Sequence, residues 1–157
     1  MEKMDLTQTT PRSVRVKLLG LVQLARTTDK VKASAHGTIG EYDFPSAMDE
    51  GVCEFLGMKA SNFLEFVKVA KSDAEIEDYI KGFVAKKSPE EIASFNQRWM
   101  TSTPEGESLQ HFIALRTRIA PDRTDVTTWP DLLDLDEGRS VADREPAKIY
   151  TKTPSSV

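Results

Sequence analysis

The segment from Pro11 to Gly37, PRSVRVKLLGLVQLARTTDKVKASAHG, decides the predicted fold because it is the longest helix candidate in the chain. At about 100° per residue, one face of such a helix carries apolar side chains. These are Val14, Leu18, Leu21, Val22 and Ala25. The same face continues with Asp29, Lys32 and His36, and a stripe that changes from apolar to charged often marks a functional site. The pattern predicts a central helix from about Arg12 to Gly37 with a polar end.

Helix start signals recur along the rest of the chain. Ser72 and Glu75 form a capping-box pattern, and a second one begins at Ser88-Pro89. Thr103-Pro104 is predicted to open a further helix. Short segments that could be extended have no second strand nearby to pair with. The pattern therefore predicts an all-α fold, a compact single-domain bundle of five to seven helices with a mobile C-terminal tail.

Three regions are expected along the chain. Residues 1–10 are a polar N-terminal arm, residues 11–137 are the helical domain, and residues 138–157 are the tail. After Gly138 the helical spacing of apolar residues is lost, which is typical of a mobile or extended segment.

The composition of the chain argues against several classes of protein: nucleic-acid-binding, disulfide-bonded, secreted and membrane-spanning ones. The chain has 157 residues and a net charge of −4, with no basic, aromatic-rich segment, so nucleic acid is not an expected partner. Cys53 is the only cysteine, which excludes an internal disulfide and suits a reducing compartment. The N-terminus does not resemble a secretory signal, and the apolar runs are too short to span a membrane. These features predict a cytoplasmic protein.

The candidate site lies at the polar end of the first helix. Arg26, Asp29, Lys32 and His36 are spaced three or four residues apart, so their side chains can converge on one side of a helix. Tyr42 follows in a loop bounded by Gly and Pro. An acid beside cations can orient an imidazole or a bound anion. We therefore predict ligand binding by these five residues; the alternative is a helix end that is solvated or ion-paired.

Other chemistry has weaker signals. His36 and His111 lack the spacing of known metal motifs, and no metal or cofactor is expected. Cys53 has no recognisable histidine partner and is expected to behave as a small buried hydrophobe rather than a nucleophile.

Several short motifs also carry a resemblance. They are Pro11-Arg12-Ser13, Lys17-Leu18, Gly20-Leu21, Leu24-Ala25-Arg26, Asp29-Lys30, the run from Gly37 to Tyr42, and Phe55-Leu56-Gly57. Over about residues 10–85 the chain resembles a family of small bacterial proteins known only as a domain of unknown function. The resemblance implies a bacterial source and a single domain, and it implies no activity.

Three functions remain open from the sequence. The favoured one is a binding module for a small anionic ligand or a protein partner at the polar end of the first helix. The second is an enzyme with an acid/base site built from Asp29, His36 and Tyr42. The third is a homodimeric adaptor that uses apolar helix faces and the tail. Binding is favoured because the sequence shows neither a nucleophile–base pair nor metal-ligand spacing.

Overall fold

The computed structural model describes residues 1–145, and within them the chain is all-α, as the sequence predicts. These residues form seven helices: α1 Leu24–Ala35, α2 Ala47–Leu56, α3 Ala60–Val69, α4 Asp73–Val84, α5 Pro89–Met100, α6 Ser108–Ile119 and α7 Trp129–Asp136. Residues 146–157 of the predicted tail lie outside the described residues. None of the helices in residues 1–145 combines the length and the apolar composition needed to cross a membrane.

The helices belong to two compact units. The first, residues 1–99, contains α1 to α4 and nearly all of α5; the second begins at residue 100 and contains α6 and α7. In the first unit α1 packs against both α2 and α3. In the second unit α6 packs against α7 around the buried side chains of Phe112, Val126 and Leu132.

The predicted first helix is wrong in its first half, because α1 begins only at Leu24. Leu18 and Leu21 exchange two backbone hydrogen bonds of 3.0 Å, which close a tight turn. The two residues inside it have positive φ, 52° at Leu19 and 84° at Gly20. Two successive residues of this conformation form a hairpin-type turn and cannot continue a right-handed helix.

A side chain from α5 holds this turn in place. The Asn96 side-chain amide donates to the Gly20 carbonyl at 2.9 Å, and its Oδ1 accepts from the Val22 N–H at 3.0 Å. Val14 and Val22 are nevertheless buried, at 0% and 2% exposure. The apolar spacing therefore correctly indicated burial, but burial here comes from a turn rather than from a helix face.

The predicted capping box at Ser88 is complete and the one at Ser72 is half formed, since the Glu75 carboxylate accepts from the Lys71 N–H instead of the Ser72 N–H. The third predicted start is misplaced. The Ser72 hydroxyl accepts from the Glu75 N–H at 3.2 Å, and Ser88 and Glu91 cap each other with bonds of 3.0 and 3.1 Å. The helix predicted to open at Thr103-Pro104 begins only at Ser108. The Ser108 hydroxyl donates to the Glu105 carbonyl at 2.6 Å, which stabilises a turn before the helix.

Arginine side chains attach residues 139–144 to the second unit. Arg144 donates from Nε and Nη2 to the Asp131 carboxylate at 2.9 and 3.0 Å. Arg123 donates to the Val141 carbonyl at 2.9 Å, and Arg139 pairs with Asp134 at 3.4 Å. The expected boundaries of the helical domain, at residues 10 and 137, stay a prediction.

The contact between α2 and Trp99 provides a test of the packing in the first unit. A Cβ at Gly51 would lie 2.2 Å from Trp99 Cζ2, so the indole ring would have to move. Gly51→Ala should therefore lower the free energy of unfolding by about 1–3 kcal/mol, as overpacking does. Gly82→Ala in α4 is the control, because its Cβ meets no atom within 4 Å. That change should raise stability by about 0.5–1 kcal/mol. Urea unfolding curves with the same shift for both variants would contradict this packing.

Candidate functional site

Helix α1 is buried on all sides, although it carries several charges. Every residue from Leu24 to Ala33 is buried. The charged ones are Arg26, Asp29, Lys30 and Lys32, each at most 6% exposed. Removing an ion from water costs several kcal/mol unless it is paired and hydrogen-bonded. The charges of α1 therefore require partners from other parts of the chain.

Arg12 is the partner of Asp29. Arg12 Nε lies 3.0 Å from Oδ2 and Nη2 lies 3.0 Å from Oδ1, a two-pronged contact, and the Arg12 backbone N–H donates to Oδ2 at 2.9 Å. Arg26 and Lys32, which lie three residues before and after Asp29 in α1, have other contacts: Arg26 donates to the Arg12 carbonyl, and Lys32 pairs with Asp73. Because the chain turns back before α1 begins, Arg12 reaches Asp29 from a separate segment.

Lys30 is paired with Asp49 of α2. The Asp49 carboxylate is fully buried and accepts from the Lys30 ammonium group. Its Oδ1 also accepts from Gln23 Nε2 at 3.1 Å and from the Thr27 hydroxyl at 2.6 Å. Its Oδ2 accepts from the Ser46 N–H and hydroxyl, both at 2.9 Å. With five donors on one carboxylate, the acceptor capacity of Asp49 is satisfied, and we interpret the network as structural.

Gln23 is the strained member of that network. It precedes α1 with a φ of 69°, a conformation that costs a non-glycine residue about 1–3 kcal/mol. Its Oε1 is buried and has no hydrogen-bond partner within residues 1–145. Neither Gln23 nor Asp49 was predicted from the sequence as a site residue. The Ser-x-x-Asp spacing of Ser46 and Asp49 was the available signal, since it is a capping box for α2.

Lys32 is paired with Asp73 at the start of α4. The two side chains approach to 2.9 Å, with the Lys32 side chain 8% exposed and the Asp73 side chain 47% exposed. Partial burial alone would raise the pKa of Asp73. The hydrogen bonds from Lys32 and from the Glu2 N–H, together with the Lys32 charge, outweigh this effect and lower the pKa below its ordinary value.

A cavity of about 460 Å³ lies beside two of these ion pairs in the first unit. Its size falls in the range of small-molecule pockets. From α1 and the segment before it, the wall contains Arg12, Leu18, Thr28, Asp29 and Lys32. From α4 it contains Asp73, Ile76, Glu77 and Ile80. Charged groups of both signs therefore face an aliphatic surface.

The N-terminal arm forms another wall of this cavity, through Glu2, Met4, Thr9 and Thr10. Thr38 anchors the arm, since its carbonyl accepts from the Leu6 N–H at 2.8 Å and its hydroxyl donates to the Met4 carbonyl at 2.6 Å. The Glu2 N–H also donates to Asp73 at 3.2 Å. A segment without helical propensity thus has a defined place in the first unit.

The structure places the five predicted site residues in three locations. Asp29 and Lys32 line the cavity. The Arg26 guanidinium donates to the Arg12 carbonyl at 3.2 Å and lies 5.8 Å from the centre of the Tyr42 ring. His36 is exposed after the last residue of α1. Neither His36 nor Tyr42 lines the cavity.

Metal and thiol chemistry find little support in residues 1–145. These residues contain no cluster of three or more metal-ligating His, Cys, Asp or Glu side chains. Burial raises the pKa of the Cys53 thiol to about 12, and the charges of Asp49 and Glu50 add to this effect. Cys53 is therefore protonated at neutral pH and a poor nucleophile.

Loss of the Asp29 carboxylate should destabilise the first unit. Asp29→Ala leaves the Arg12 guanidinium and N–H without their acceptor, but the Arg12 side chain is 46% exposed and keeps part of its hydration. We expect a loss of about 2–4 kcal/mol in the free energy of unfolding. Glu65→Ala, which removes an exposed pair with Lys68, is the control and should cost under about 1 kcal/mol. Similar costs in chemical denaturation would contradict the burial of Asp29.

The Lys32–Asp73 pair should make stability depend on pH. Because folding lowers the pKa of Asp73, the stabilisation is present above the unfolded-state value and is lost as the pH falls through the lowered one. Asp73→Asn should lower the Tm at pH 7 relative to the parent chain, and this difference should shrink below about pH 4. Asp78→Asn, an exposed change in the same helix, is the control. A Tm difference that is constant down to about pH 2 would exclude this role for Asp73.

Comparisons with known proteins place the chain in a family without a described activity. A family model described as "Domain of unknown function (DUF5069)" matches residues 8–139. The match spans α1 to α7 and includes both ion pairs beside the cavity, Arg12–Asp29 and Lys32–Asp73. A comparison with curated proteins found no match. Because the family model covers most of the sequence, the chain belongs to the DUF5069 family of unknown function.

Proposed function

We propose that this protein binds a small molecule with an anionic group in the cavity beside α1. One observation carries the proposal: two cations, Arg12 and Lys32, line a cavity of about 460 Å³ while carboxylates hold each of them in position. Preorganised donors reduce the entropic cost of binding, because they need not be ordered by the ligand.

Both cations retain hydrogen-bonding capacity. An ammonium group has three donors, and within residues 1–145 Lys32 gives one ion pair, to Asp73. Arg12 donates from Nε and Nη2 to Asp29 and from Nη2 to the Ala25 carbonyl, which leaves its Nη1 as the donor not used within residues 1–145. Thr9, whose side chain has a hydroxyl donor, also lines the cavity. Together these groups suit a carboxylate or a phosphate.

The opposite wall suits the carbon part of such a ligand. Ile76 and Ile80 of α4 are among the residues that line the cavity, so this wall is aliphatic. Small-molecule sites typically combine an apolar lining with a few fixed polar groups.

Binding agrees better with the cavity than catalysis does. The described residues that line it include no Ser, Cys or His, so neither a Ser–His nor a Cys–His pair is present there. The acid/base alternative built on Asp29, His36 and Tyr42 has only Asp29 at this place.

We also place the protein in the cytoplasm, since its single cysteine is buried and unpaired with another thiol.

Thermal shift measurements with simple anions test the proposal. Inorganic phosphate, succinate and citrate are the probes, and at least one should raise the Tm of the parent chain. A ligand at 100 times its Kd stabilises the folded state by about 2.7 kcal/mol. Lys32→Gln and Arg12→Gln should abolish the ligand-dependent part of the shift, since each removes a charge from the cavity wall.

The control separates specific binding from general salt effects. Phosphate and citrate stabilise many proteins by exclusion from their surfaces, so Lys68→Gln, an exposed change in α3, must keep the full ligand shift. An equal Tm rise in the parent chain and in both cavity variants would overturn the proposal. So would the absence of a rise with all three anions and with an aminocarboxylate such as L-leucine.

A further inference from the structure

The cavity contains more acid than base. Its lining includes two cations, Arg12 and Lys32, but four carboxylates. Asp29 and Asp73 are paired with the cations. The other two carboxylates are those of Glu2 and Glu77, which form no ion pair within residues 1–145. A ligand that carried only negative charge would approach both of them unfavourably.

From this arrangement we infer that the ligand is a zwitterionic aminocarboxylate with an aliphatic side chain. The inference rests on the proposed function, because it names the ligand class for the same cavity. The anionic group interacts with Lys32 and Arg12. The ammonium group interacts with Glu77 and Glu2. The aliphatic part contacts the wall formed by α4.

The positions of residues on α4 support this assignment of the anionic, ammonium and aliphatic parts of the ligand to different sides of the cavity. Asp73 and Glu77 are four residues apart, so they lie one turn apart on the same side of the helix. Asp73 faces Lys32 at 2.9 Å, which places the boundary between the two charge signs at this pair. Ile76 and Ile80 lie on the buried side of the same helix and also line the cavity. One helix thus supplies both the acidic group and the aliphatic surface.

Other ligand classes satisfy fewer of these groups. A metal ion would need a cluster of three or more ligating side chains, and residues 1–145 contain none. An uncharged apolar ligand would leave the donors of Lys32 and Arg12 unused and exclude water from them. A zwitterion offers an opposite charge to both kinds of group, and bridging waters can fill the remaining volume.

A matched set of three small molecules tests the inference on the full chain. L-leucine carries both charges, isocaproate carries the same aliphatic chain with only the carboxylate, and isoamylamine carries it with only the ammonium group. Calorimetric titration should show L-leucine binding at least about tenfold more tightly than either of the others, because each singly charged analogue leaves one set of charges unmatched.

Glu77→Gln tests which residue contacts the ammonium group. Glu77 is exposed, so the variant should fold with the Tm of the parent chain. It should lower the affinity for L-leucine and raise that for isocaproate, because it removes an attractive charge for the first ligand and a repulsive one for the second. Asp78→Asn, the neighbouring exposed change, does not alter the cavity lining and should have no effect on either.

The outcomes separate this inference from the proposed function. If isocaproate binds as tightly as L-leucine, or if Glu77→Gln changes neither affinity, the zwitterion inference is overturned and anion binding stands. The same holds if phosphate, succinate or citrate binds and L-leucine does not. If none of these probes binds, both proposals are overturned.

Discussion

The first unit depends on the neutralisation of charges buried along α1. A helix with apolar residues on one face can leave its charged face in water, but α1 is covered on every side. Its charges therefore need partners, and these come from three separate segments: Arg12 before the turn, Asp49 in α2 and Asp73 in α4. The segments that surround α1 are thus connected to it by ion pairs as well as by apolar packing.

Buried ion pairs contribute little to the net stability of a fold, so a role in function becomes a reason for their presence. Replacing a buried ion pair by apolar residues of similar volume is often neutral or stabilising, because desolvation offsets the attraction between the charges. The Lys30–Asp49 pair belongs to a closed network of five donors and holds α1 to α2. The other two pairs, Arg12–Asp29 and Lys32–Asp73, border the cavity, and their cations have N–H donors that the ion pairs do not use. Lys30–Asp49 is therefore interpreted as a structural pair, whereas Arg12–Asp29 and Lys32–Asp73 suit ligand binding.

The sequence predicts some parts of this arrangement and not others. Local signals such as the capping residues Ser72 and Ser88 were sufficient for the all-α fold, since a cap acts within one helical turn. The mixed stripe also placed Asp29, Lys32 and His36 on the face that continues the core; Asp29 and Lys32 are buried there, whereas His36 is exposed. The turn at Gly20 was not predicted, because the side chain that holds it in place, Asn96, lies far along the chain. The partners of the buried charges depend on the same long-range folding, and no spacing rule applies to them.

A double-mutant cycle on Lys30 and Asp49 tests the central claim most directly. Their side chains are 5% and 0% exposed, so the pair is the most deeply buried of the three. The free energies of unfolding of Lys30→Met, Asp49→Asn and the double variant, compared with the parent chain, give the coupling between the two side chains. The account predicts a favourable coupling of about 1–3 kcal/mol, because each single change leaves a buried group without its partner. Additive effects, with a coupling near zero, would contradict the claim that partners from other segments hold the charges of α1.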